Sequence, residues 1–119
     1  MGSSGSGRFS DYPGGGKGQE GDEDRCHHAI NVLLEDVEHC EYYRARRNVP
    51  PNGTRLRLRR GKRLQAVTTG GEVVGHLPTS ANYLAGCMQD GFTYAGAVIA
   101  SRAGGLAVVV HAHFQPEGR

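Results

Sequence analysis

After Ala29 hydrophobic and polar positions alternate with a period of two along most of the chain. Half-buried β-strands produce this spacing, because successive side chains point to opposite faces of a sheet. Ile30, Val32 and Leu34 share one phase and Asn31, Leu33 and Glu35 the other, which predicts a first strand from Ala29 to about Val37. Glu38–Arg47 fits neither period and reads as a loop or a helical turn, and Pro50-Pro51-Asn52-Gly53 reads as a turn. Thr54–Arg60 then alternates cleanly, with Leu56 and Leu58 inward and Arg55, Arg57 and Arg59 outward. A helix over the same residues would scatter the arginines round its axis.

The stretch from Gly70 to Ser101 organises the rest. Gly70-Gly71 between Leu64–Thr69 and Glu72–Leu77 predicts a hairpin with a type I′ turn, since that turn needs φ > 0 at both central positions. This turn length pairs Thr68 with Val73, Ala66 with Gly75 and Leu64 with Leu77 on one face. Thr69–Glu72, Gln65–His76 and Val67–Val74 then fall on the other. Pro78 ends the second strand, Thr79 or Ser80 can cap a short helix, and Gly91 can end it in a left-handed conformation. Tyr83, Leu84, Cys87 and Met88 form the helix's apolar stripe. Phe92–Ser101 and Leu106–Phe114 are the last strands, joined through Arg102–Gly105. Tyr94, Gly96 and Val98 share a face in the first of them. In the second, Leu106, Val108, Val110, Ala112 and Phe114 alternate with Ala107, Val109, His111 and His113. Six short strands and one helix, several strands with a polar face, predict a mainly β fold: a small antiparallel six-stranded barrel.

Composition changes this picture at the chain's start. Residues 1–25 are rich in Gly and Ser and nearly free of aliphatic side chains, so they cannot bury enough apolar area to offset their ordering entropy. A disordered arm over 1–25 and a barrel domain over 26–119 follow, the latter roughly ninety residues, enough for one modest core. Within the arm, Arg8-Phe9-Ser10-Asp11-Tyr12-Pro13 combines aromatics, charges and a proline in the manner of a short docking motif.

Charge is unevenly distributed. The net value of +2 combines an acidic run, Glu20, Asp22, Glu23 and Asp24, with a window from Tyr42 to Gly71 in which every charged residue is basic. Arg44, Arg46, Arg47, Arg55, Arg57, Arg59, Arg60, Lys62 and Arg63 lie there, and such a cluster suits a phosphate polymer, an acidic protein face or the chain's own acidic tail. Alternate arginines on a strand repeat at about 7 Å, near the phosphate spacing of one nucleic-acid strand. Tyr42 and Tyr43 just upstream supply flat rings on which unstacked bases can lie.

Other chemistries find less support. Cys26-His27-His28, His39-Cys40 and His111-x-His113 lack the spacing by which one local turn presents two zinc ligands, so no metal is expected. Cys87, on the buried helix stripe, reads as an inert thiol. No nucleophile–base grouping, carboxylate pair or phosphate-cradling glycine loop stands out. The chain is therefore read as a non-enzyme without cofactor or small-molecule substrate. Three cysteines without framework spacing, and no apolar leader, predict a reducing, cytoplasmic setting, and no run approaches a membrane span.

From Ala29 to Gln115 the serial order of motifs resembles the HIRAN domain, a small β-barrel module found alone in bacteria and fused to remodelling helicases in eukaryotes. The likeness rests on the Tyr42-Tyr43 pair, the Gly53–Leu58 strand, and Gly71-Glu72-Val73-Val74-Gly75-His76-Leu77-Pro78 with the Tyr83-Leu84 helix. Asp90-Gly91-Phe92, Tyr94-Ala95-Gly96-Ala97-Val98 and Val108–Phe114 complete it. The resemblance implies recognition of single-stranded DNA, particularly a 3′ end, with Tyr42, Tyr43 and Phe114 at the stacking positions. HIRAN domains carry an acidic loop that engages the terminal hydroxyl; here Arg59-Arg60-Gly61-Lys62-Arg63 replaces it. That departure removes the acid and adds positive charge. The expected partner is thus nucleic acid, single-stranded DNA foremost, bound by Tyr42, Tyr43, Arg44, Arg46, Arg47, Arg55, Arg57, Arg59, Lys62 and Arg63. The alternative is an adaptor docking on a partner enzyme through its barrel or through Arg8, Phe9, Asp11, Tyr12 and Pro13. In a third arrangement the acidic tail masks the basic face.

Overall fold

In a computed structural model, residues 25–104 and 107–118 are described. Residues 1–24 of the arm, including the Arg8–Pro13 motif and the acidic run, lie outside them. Six antiparallel strands form one sheet in the order β1-β6-β5-β2-β3-β4. They are β1 (Ile30–Leu33), β2 (Arg55–Arg59), β3 (Gln65–Thr68), β4 (Val73–His76), β5 (Thr93–Gly104) and β6 (Ala107–Gly118). The sheet curls into a half-barrel. Its two edge strands meet just beyond β1, where the Glu35 N–H donates to the His76 carbonyl at 2.7 Å and the His76 N–H returns to Glu35 at 2.9 Å. Gly75 permits that meeting, because a Cβ there would stand 2.8 Å from Leu34 Cβ and 3.1 Å from Val37 Cγ2.

The apolar phase read from the pattern makes up most of the core: Leu56, Leu77, Leu84, Tyr94, Val98, Val110 and Phe114 are buried in one cluster. Val74, expected on the opposite face of its strand, is buried there too. Truncating side chains enclosed like these costs about 2–5 kcal/mol. Glu38–Arg47 resolves into a 3-10 turn (Val37–His39) and a six-residue helix, α1 (Glu41–Arg46). Thr79–Ala81 is likewise a 3-10 turn, and α2 spans Tyr83–Gln89 with Asn82, not Thr79 or Ser80, at its N-cap. Leu84 and Cys87 face the core from α2, and Gly91 follows it with φ 105°, as the pattern predicts.

Three expectations are corrected. The β3–β4 connection is not a type I′ turn: Gly71, at φ 90°, is left-handed and Gly70 is not. The Gly71 N–H closes the turn on the Thr68 carbonyl at 2.9 Å, and the Thr68 N–H donates to the Glu72 carbonyl at 3.0 Å, so that Thr68 is tied to Glu72 in place of Val73. A bulge between Ala66 and Val67 then re-phases the pair. Gln65–His76 and Ala66–Gly75 keep the expected register, while Val67 meets Val73. Val67 and Val73 pack with Cys40 in a small second cluster.

The last hairpin is also longer than its pattern implies, with β5 and β6 paired out to Gly104 and Ala107. A bulge between Val98 and Ala100 accommodates this, leaving Ile99 exposed and turning Ser101 toward the Pro50 carbonyl at 2.6 Å.

Finally, Cys87 is not a thiol. It forms a disulfide with Cys26, 61 residues away, leaving Cys40 as the free cysteine of the described chain. An odd count conceals a pair when the partners are distant, so the argument from cysteine count to a reducing compartment loses its basis. The bridge fixes the first described residues against the barrel, and the Tyr94 hydroxyl donates to the Cys26 carbonyl there at 2.7 Å. Burial, with the nearby Tyr83 adding to it, pushes the Tyr94 phenol up to about 12. Cys40 is buried, its thiol donates to the Asp36 carbonyl at 3.2 Å, and desolvation foremost raises its pKa.

Candidate nucleic-acid interface

The β2 pattern delivers Arg55, Arg57 and Arg59 to the outer face of the sheet, each exposed between the buried Leu56 and Leu58. Their environments differ. Arg57 donates to Glu117 at 2.6 Å from the end of β6, and Arg59 donates through Nε to Gln65 at 3.0 Å. Arg55 has no carboxylate partner among the described residues. It lies in one cross-strand row with Ala97 and His113, above a trough of about 330 Å³ lined by Gly53, Arg55, Ala95, Ala97, His113 and Gln115.

Beyond β2, Arg60, Gly61, Lys62, Arg63 and Leu64 face Thr79, Asn82 and Ala85 across an open groove of about 580 Å³. Arg60 and Lys62 are exposed without carboxylate partners among the described residues, giving this groove two uncompensated cations. Arg63 is different. Its Nη2 donates to Glu35 at 2.6 Å and to the Leu77 carbonyl at 2.8 Å, and its Nη1 to Asp36 at 3.0 Å. These bonds, that to Glu35 foremost, raise its pKa. Arg63 therefore closes the seam between the edge strands and is not an open phosphate ligand. His76 stands in the same seam, its buried Nδ1 at 3.7 Å from Asp36, too far for a hydrogen bond.

The α1 residues divide similarly. Arg46 makes two 2.9 Å bonds to Glu72 while its guanidinium covers the Tyr42 ring at 4.0 Å. The bond to Arg46 holds the Glu72 carboxyl below its usual range. Tyr42 and Tyr43 are half-buried against the core, and one face of Tyr42 is already occupied by Arg46. Arg44 and Arg47 are exposed without carboxylate partners among the described residues. Glu41 anchors the helix, accepting the Val73 N–H at 2.8 Å on the otherwise open edge of β4. Phe114 is fully buried, because it lies on β6's inward phase, and so offers no platform to a base.

Of the expected set, Arg55, Arg59, Lys62, Arg44 and Arg47 thus remain cations open to a ligand, whereas Arg46, Arg57 and Arg63 are neutralised. The basic window also contained Arg60, now placed in the groove. The His111-x-His113 alternation was the sequence signal for His113 beside the trough. The described residues hold no group of three or more His, Cys, Asp or Glu arranged to bind a metal, and no helix long and apolar enough to cross a membrane. Compared with known proteins, the chain matches no family model, no curated protein and no solved structure.

Proposed function

We propose that this chain is a non-enzymatic module that binds nucleic acid, single-stranded DNA in particular, across the outer face of β2 and the adjoining Arg60–Lys62 groove. The observation that carries this reading is the set of uncompensated cations Arg55, Arg59, Arg60 and Lys62 along one strand and its following loop, interrupted only by Arg57, which Glu117 neutralises. A single-stranded polyanion can follow such a run, releasing counterions as it neutralises each phosphate. Arg44 and Arg47 on α1 extend the positive field. The HIRAN-like order of motifs points the same way, with one difference: the groove presents cations where an acid would read a terminal hydroxyl. Binding is therefore expected along a strand and not at its end.

Fluorescence anisotropy with labelled single-stranded, 3′-blocked and duplex oligonucleotides tests this. Blocked and unblocked single strands should bind equally, tighter than duplex, and weaken steeply with salt. An absence of salt-dependent binding at low ionic strength overturns the proposal.

One observation favours a second reading, a protein-docking subunit. Leu33 and Ile99 are large apolar side chains left 57% and 44% exposed. A pull-down with and without residues 1–25 distinguishes docking through the arm from docking through the barrel, and recovery of no partner by either form counts against it.

A further inference from the structure

We infer that the trough between β2 and β6 is a discrete phosphate site in which Arg55 and His113 grip one phosphate group from opposite sides. Three features of the outer face lead to it. First, Arg55 and His113 occupy the same row, Arg55–Ala97–His113–Asn31, separated by one strand and so by about 10 Å. Second, the side chain between them is a methyl group, Ala97, with Ala95 beside it, so space of about 330 Å³ remains where a larger residue would fill it. Third, His113 is oriented. Its Nδ1 lies 2.7 Å from the Asn31 carboxamide oxygen, an acceptor, which assigns the Nδ1 proton and leaves Nε2 for a ligand.

Gly96 preserves this geometry. A Cβ there would collide with the His113 carbonyl oxygen and lie 2.9 Å from Phe114 Cα, so only glycine lets β6 approach β5 closely at this row. The charges around His113 are few. Arg55 lies across the trough on β2, and Ala95 and Ala97 face it from β5. From β1 come Asn31 and, one row on, Leu33. On β6 itself, His111 is two residues back and Glu117, four residues on, is engaged by Arg57. None of these groups places an uncompensated carboxylate in the trough to compete with an anion. With its Nδ1 proton engaged by Asn31, a protonated His113 would present Nε2–H across the trough from Arg55, so that a phosphate meets a donor on each side. The inference deepens the nucleic-acid reading by assigning one backbone phosphate to a named pair. The same chemistry would hold a free phosphomonoester.

Two probes separate the sources. In the first, a single-stranded oligonucleotide is titrated at pH 5.5 into the full chain and its variants. His113→Gln should weaken binding several-fold and Arg55→Gln about tenfold. Ala97→Val, which keeps both polar groups and suits a strand, should weaken binding by filling the trough, with an unchanged melting midpoint as control for folding. In the second, inorganic phosphate replaces the oligonucleotide, with the His113 ring followed by NMR against sodium chloride of equal ionic strength.

A phosphate-specific shift of the His113 ring without oligonucleotide binding would support the site and overturn the nucleic-acid reading. Oligonucleotide binding with an affinity untouched by His113→Gln or by Arg55→Gln would overturn the site and leave the nucleic-acid reading standing. The absence of any response to either probe overturns both.

Discussion

Two arginines from the same basic window, Arg63 at the barrel seam and Arg55 on the outer sheet face, meet opposite fates. Arg63 contacts two carboxylates and a carbonyl, all from the strand ends it draws together. Arg55 stands beside a small-residue trough with an imidazole opposite. Residue type is the same, yet the half-buried Arg63 holds the fold closed and the exposed Arg55 is left to solvent. What separates them is where the acids fall. Glu35 and Asp36 follow β1 and are carried to the seam by the curl of the sheet, whereas the outer row Arg55–Ala97–His113–Asn31 contains no acid. A basic stretch is thus a pool of positive charge from which the fold first draws its ion pairs, and only the remainder is available to a partner.

The largest effects should come from the glycines beneath each region. Gly96→Ala forces a Cβ into the β6 backbone and should destabilise by about 4 kcal/mol or prevent folding, read by urea unfolding. Gly75→Val should open the seam, because the new side chain meets Leu34 and Val37. If both variants unfold at the wild-type midpoint, the close approaches described above are wrong. Breaking the Cys26–Cys87 bridge by double serine substitution comes next. A cross-link spanning 61 residues restricts the unfolded chain by about 4 kcal/mol in the chain-entropy view. Melting with and without reductant checks this, and oligonucleotide affinity per folded molecule should not change.

The comparison itself is sharpened by exchanging the two arginines' roles. Arg63→Gln should lower the unfolding midpoint and leave oligonucleotide affinity nearly intact; Arg55→Gln should do the reverse. Equal effects of both on affinity would erase the distinction. The smallest effect belongs to the exposed Arg46–Glu72 pair. Since the Glu72 carboxyl is held below its usual range, its contribution is present above the ordinary carboxylate pKa and is lost as pH falls through the depressed one. Glu72→Gln should therefore melt slightly lower than wild type at neutral pH and together with it in acid.

Much of the architecture was legible because it is local. Period-two alternation placed β1, β2, β5 and β6, the Gly70-Gly71 turn placed β3 and β4, the Tyr83–Met88 stripe placed α2's buried side, and Leu56 and Leu58 fixed which way the β2 arginines point. Features that depend on distant partners were not legible. Arg46 finds its acid 26 residues on, Arg63 finds Asp36 27 residues back, and Arg57 meets Glu117 60 residues away, so no window of sequence shows which cations are neutralised. Bulges after Ala66 and Val98 leave the residue pattern intact while moving the register, and the disulfide is hidden by an odd count. Phe114 illustrates the limit from the other side. The alternation grouped it with Val110 and Ala112, which the fold buries, and that shared face outweighs its family-like position as a stacking aromatic.

The most direct test is the salt dependence of single-stranded oligonucleotide binding, measured for the wild type, Arg55→Gln and Arg63→Gln. Each phosphate contact contributes about 0.7 to the slope of log K against log salt on a single strand. A steep wild-type slope, reduced by about 0.7 in Arg55→Gln and unchanged in Arg63→Gln, is the predicted result. A flat wild-type line, or an equal loss of slope in both variants, would contradict it.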